Sequence, residues 1–92
     1  MFKKNTADKS RLENIPGVGK SIAADLRELG IQKTTDLVGK KPQQLYDNLC
    51  SLRKMHMDPC MLYVFRCAVY FAENQVYEPE LLKWWNWKNR IY

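Results

Sequence analysis

Apolar residues recur at three- and four-residue spacing along most of the chain, and no stretch alternates with period two, so the pattern predicts helices and no strands. Asp8 suits a cap ahead of a short helix over 9–14, whose Leu12 and Ile15 face inward. Ile15-Pro16-Gly17-Val18-Gly19 interrupts it, because Pro16 disfavours helical geometry in the residue before it and the glycines permit positive φ in a tight turn. From Lys20 to Leu29 the positions Ile22, Ala23, Leu26 and Leu29 form one stripe, which Gly30 stops. Thr34-Thr35-Asp36 supplies capping oxygens for a turn through Val38. Gly39-Lys40-Lys41 ends that turn before Pro42, a suitable first residue for the next helix.

That helix, from Pro42 to about Arg53, carries Leu45, Tyr46, Leu49 and Leu52 on one face, and residues 54–57 connect it onward. Asp58-Pro59 opens a helix over 59–73 that is apolar on nearly every side. Arg66 is its only charge before Glu73, so this element of about 22 Å should run through the middle of the domain. Glu78-Pro79-Glu80 begins a final helix bearing Leu81, Leu82, Trp84, Trp85 and Trp87. The expected fold is all-α: a compact single domain of about five helices over 8–92, behind a flexible basic tail at 1–7. The two halves share a helix, glycine turn, helix plan without repeating residue identities.

Ninety-two residues leave room for one core, and 46% hydrophobic with 27% charged residues exclude both a disordered chain and a membrane protein. No apolar run reaches the length of a bilayer, and Met1-Phe2-Lys3-Lys4-Asn5 is not followed by the apolar stretch of a signal peptide, so a cytoplasmic location is expected. Lys and Arg number fifteen against ten Asp and Glu, and residues 1–41 hold nine of those bases with five acids. A surplus so placed suits a polyanionic partner. Cys50, Cys60 and Cys67, odd in number and set in apolar stretches, read as buried thiols rather than disulfides.

Leu12-x-x-Ile15-Pro16-Gly17-Val18-Gly19-Lys20-x-x-Ala23-x-x-Leu26 resembles the helix-hairpin-helix motif of DNA repair and recombination proteins. The chemistry follows from geometry. A turn of this kind leaves the main-chain N–H groups of Gly17, Gly19 and Lys20 unpaired at a helix start, where the dipole is positive and a phosphate oxygen can approach. Lys20 and Ser21 add side-chain donors, and Val18 and Ile15 plug the core. Such a contact touches the nucleic acid backbone and reads no sequence. The second turn, Gly39, Lys40 and Lys41, lacks the Gly-x-Gly spacing, but its lysines are point charges for phosphate. The competing reading makes Ile15–Gly19 only a compact helix–helix connection.

The segments Asp58-Pro59-Cys60-Met61-Leu62-Tyr63-Val64-Phe65-Arg66-Cys67-Ala68-Val69-Tyr70-Phe71-Ala72 and Glu78-Pro79-Glu80-Leu81-Leu82-Lys83-Trp84-Trp85-Asn86-Trp87 resemble a bacterial family named for a pathogenicity locus. That resemblance runs from about Lys9 to Lys88. It implies a small single-domain helix-hairpin-helix protein and no particular reaction; the family name records a genomic neighbour.

Other constellations carry less. Cys50, His56, Cys60 and Cys67 lack the short spacings of a zinc site, and Cys60 and Cys67 on one helix lie about 10.5 Å apart along its axis, so no metal or cofactor is expected. A base-excision glycosylase needs a second lobe and a catalytic Asp or Lys; Ser21 stands where some of those enzymes place a lysine, and the chain is too short. No nucleophile with its base stands out, and the protein is not expected to be an enzyme. Lys83-Trp84-Trp85-Asn86-Trp87-Lys88-Asn89-Arg90 interleaves aromatics with cations, a pattern that suits stacking on bases, although one or two of the tryptophans should close the core against 59–73. The expected function is DNA binding, to duplex or junction without sequence preference, through Gly17, Val18, Gly19, Lys20 and Ser21 with Gly39, Lys40 and Lys41. The alternative is a protein-interaction or homodimerisation module using the tryptophan-rich end.

Overall fold

A computed structural model describes residues 10–92, so the tail at 1–7 and the cap at Asp8 lie outside the described residues. Among the described residues every regular element is helical. Three are α-helices: α1 (Lys20–Glu28), α2 (Pro42–Arg53) and α3 (Cys60–Glu73). Four short 3-10 turns, Leu12–Asn14, Thr34–Leu37, Pro79–Leu82 and Trp84–Trp87, complete the set, in place of the five helices expected from the sequence pattern.

The first missing helix is a single turn. Because 3-10 geometry stacks residues three apart, Leu12 and Ile15 still reach the core together, and both are buried. The expected final helix breaks at Lys83, whose backbone is extended. There the Asn86 side-chain amide donates to the Glu80 carbonyl at 2.8 Å and the Trp87 indole N–H to the Leu81 carbonyl at 2.9 Å. A continuous helix would give those carbonyls to main-chain donors at 84 and 85. Side chains have replaced the helix ladder, and the chain folds back so that Trp87 enters the core at 2% exposure.

α3 is the axis of the domain. It packs against α2, against the 34–37 turn and against both C-terminal turns, and buries Val64, Phe65, Cys67, Ala68, Val69, Tyr70 and Phe71. Asp58 Oδ1 accepts the Cys60 N–H at 2.9 Å at its start, and the Asn74 amide donates to the Tyr70 carbonyl at 2.8 Å at its end, which satisfies groups the helix leaves unpaired. Around Tyr70 gather Tyr77, Trp87 and Tyr92, with ring centroids 5.5–6.0 Å away, in the tilted and edge-on arrangements aromatic pairs favour. α1 and α2 are cross-linked by Arg53, which pairs with Asp25 and, at 2.7 Å, with Glu28. Leu52, expected in the α2 stripe, is exposed, and Pro42 is buried in that face instead.

The chain repeats a backbone plan at an offset of 22 positions. A 3-10 turn begins at Leu12 and again at Thr34, a positive-φ glycine follows at Gly17 (86°) and Gly39 (82°), and an α-helix starts at Lys20 and at Pro42. Hydrogen bonds repeat too: Val18 N–H to the Ile15 carbonyl and Lys40 N–H to the Leu37 carbonyl, then Ala23 to Gly19 and Leu45 to Lys41.

Candidate functional site

The two glycine turns are fastened to the same helix. The Cys67 thiol donates weakly to the Pro16 carbonyl at 3.9 Å, and the Glu73 carboxylate accepts the Gly39 N–H at 2.7 Å. Cys67 and Glu73 are six residues apart on α3, about 9 Å along its axis. Beyond this shared support their environments differ.

At the first turn Gly17, Gly19, Lys20 and Ser21 are exposed, while Val18 is buried and anchors the loop. Gly17 is left-handed and lies on an indole: a Cβ built there would sit 3.0 Å from Trp84 Cδ1. Gly19 is different from the sequence expectation of positive φ, since its φ of −95° is open to any residue and nothing stands within 4 Å of its absent Cβ. Among the described residues the main-chain N–H groups of Gly17, Gly19, Lys20, Ser21 and Ile22 find no protein acceptor. They open on the positive end of the α1 dipole, a setting that favours an anionic oxygen.

The charge around this turn is set by pairing. Glu13 is held by Arg27 at 2.9 Å and by Arg11 at 4.0 Å, and the Arg27 hydrogen bond pulls its carboxyl down to about 2. Arg27 is therefore committed to Glu13. Asp25 and Glu28 are taken by Arg53, whose hydrogen bond lowers the Glu28 carboxyl. Lys20, Lys40 and Lys41 form no ion pair among the described residues. Glu13, Asp25 and Glu28 are thus each paired with an arginine, while Lys20 is left without an acid partner among the described residues.

At the second turn the Gly39 N–H is already occupied by Glu73, Lys40 N–H is spent on Leu37, and Pro42 removes one of the donors that α2 would present. Lys40 and Lys41 remain exposed cations. Nothing in the local sequence announces Glu73, which reaches this turn from 34 positions away. The same holds for Trp84 behind Gly17.

The residues considered for metal or thiol chemistry are dispersed. Cys67 is buried, Cys50 half-buried and Cys60 exposed, which corrects the expectation of three buried thiols. His56 sits edge-on to Tyr46 at 6.1 Å. Among the described residues no group of three His, Cys, Asp or Glu side chains is placed to hold a metal ion, and no helix is long and apolar enough to cross a membrane. Arg66 stacks over Tyr63, 5.8 Å from the ring centre, and donates to the Trp87 carbonyl at 2.8 Å.

A family model described as Pathogenicity locus matches residues 5–91. A mitomycin resistance protein, McrB, from Streptomyces lavendulae is 29% identical over 82 residues, which span 89% of this chain and 74% of that protein. No solved structure matches the chain.

Proposed function

For a chain that belongs to the Pathogenicity locus family, we propose a non-enzymatic, cytoplasmic DNA-binding module that grips backbone phosphate at the Gly17–Ser21 hairpin. The two units offset by 22 positions are read here as tandem helix-hairpin-helix units, of which the first carries the contact. The supporting observation is the set of unpaired amides of Gly17, Gly19, Lys20, Ser21 and Ile22 at the start of α1, beside Lys20, which forms no ion pair among the described residues. Lys40 and Lys41 add charge from the second turn. Contacts of this kind fix the protein on duplex or junction DNA and do not read bases.

The test is a titration of labelled duplex at several ionic strengths. With two to four phosphates engaged, log affinity should fall with log salt at a slope of roughly −2 to −4, from a Kd on the order of 10⁻⁴ to 10⁻⁶ M. Gly19→Glu should abolish binding with the fold intact, since the added side chain meets open space and an allowed backbone. Salt-independent binding, or a Gly19→Glu protein that binds as well as the parent, contradicts the reading. Absence of binding together with a dimer by light scattering would favour a protein-contact role for the tryptophan-rich end instead.

A further inference from the structure

Beside the hairpin lies a cleft of about 390 Å³, within the range of ligand sites, roughly 300–1,000 Å³. Tyr63, Trp84, Trp85 and Lys88 line it, with Asp58 and Cys60 on the remaining wall. Two features set it apart from ordinary packing. Trp85 is 56% exposed although Trp87, two residues on, is buried, and it stands edge-on to Trp84 with centroids 5.7 Å apart, so more than half of this large aromatic side chain is open to solvent beside the cleft. The opposite aromatic is fixed in place, because Arg66 covers the Tyr63 ring and is itself held by the Trp87 carbonyl.

The cleft is continuous with the hairpin. Trp84 forms its wall and also supports Gly17, so one side chain touches both places. The charges are complementary to a nucleotide: Lys88 suits a phosphate or a base carbonyl, and Asp58 accepts from a base N–H while capping Cys60. A purely apolar peptide would leave both charges unanswered at the rim.

We propose that this cleft takes one unpaired nucleobase, stacked on Trp85 with its edge toward Trp84, from a strand whose phosphate lies on the Gly17–Ser21 hairpin. The inference rests on the DNA-binding reading above and narrows it to DNA with an unpaired stretch or end. Bases inside a duplex have both faces covered by their neighbours and cannot offer one to an indole.

Anisotropy titrations of a labelled oligothymidine, an abasic strand of the same length and a blunt duplex separate the two claims. The parent protein binds oligothymidine more tightly than the abasic strand. Trp85→Ala, a change at an exposed position, loses roughly tenfold to a hundredfold on oligothymidine, as the loss of one base–aromatic stack predicts, and keeps its duplex affinity. Gly19→Glu loses all three. Equal affinity of the parent for oligothymidine and the abasic strand, with Trp85→Ala unchanged, overturns the base pocket and leaves the hairpin reading standing. Failure of the parent to bind any of the three overturns both.

Discussion

The carboxylate of Glu73 accepts the main-chain N–H of Gly39 at 2.7 Å and, through its other oxygen, the hydroxyl of Tyr92 at 2.8 Å. One acid thus ties the end of α3 to the second glycine turn and to the C-terminus, and it fills the place an anion would occupy at that turn. Glu73→Ala should lower Tm by about 5 °C, the shift expected for a loss near 1 kcal/mol in a domain of this size. Glu73→Gln keeps one acceptor oxygen, enough for the Gly39 N–H, and removes the charge. On the DNA-binding reading it tightens duplex affinity about two- to threefold at low salt, and the gain fades as salt is added. Weaker binding by Glu73→Gln would count against any phosphate contact near Lys40 and Lys41.

Gly17 and Gly19 should respond oppositely to the same substitution. Gly17→Ala forces a side chain into a left-handed backbone, at about 1–2 kcal/mol, and also against Trp84 at 3.0 Å. Gly19→Ala meets neither obstacle. Urea denaturation of both variants checks this: a clear fall in midpoint is expected for Gly17→Ala and little or none for Gly19→Ala.

Acid should unpick the Glu13–Arg27 pair. With the Glu13 carboxyl at about 2 in the folded protein and 4.5 as its ordinary value, the folded state binds the proton less readily than the unfolded chain. The pair's contribution is therefore complete above 4.5 and disappears as pH falls from there towards about 2. Thermal melts of the parent and of Arg27→Ala should differ at neutral pH and converge across this window. Because the pair lies at the surface, high salt shrinks the difference at every pH.

Alkylation should sort the cysteines by environment. Burial pushes the Cys67 thiol up to about 11 and keeps reagent away, whereas Cys60 is exposed, even though its hydrogen bond with Asp58 raises its thiol above the ordinary value. Mass spectrometry after limited iodoacetamide treatment should find the label on Cys60 first, and on Cys67 only after denaturant is added. Early labelling of Cys67 would mean that the α3 packing opens readily.

Trp87→Ala removes the largest fully buried side chain and the indole donor to Leu81, and should cost about 3–5 kcal/mol. A domain this small has little stability to spare, so the variant is expected to be largely unfolded at 37 °C by circular dichroism. Trp85→Ala should melt close to the parent.

The all-helical class, α1, α2, α3 and the breaks at Gly17 and Gly39 were legible in the sequence, because each depends on neighbours within a turn or two: apolar spacing, a proline at a helix start, a glycine at a bend. The free amides of the first hairpin follow from the same local cause. Local signals failed where side chains compete with the backbone ladder, as Asn86 and Trp87 do at the Glu80 and Leu81 carbonyls, turning an expected helix into two separate turns. What the sequence could not say is which distant groups meet the two glycine turns: Glu73 takes the Gly39 N–H and Trp84 lies against Gly17, contacts across distant parts of the chain that exist only in the packed fold.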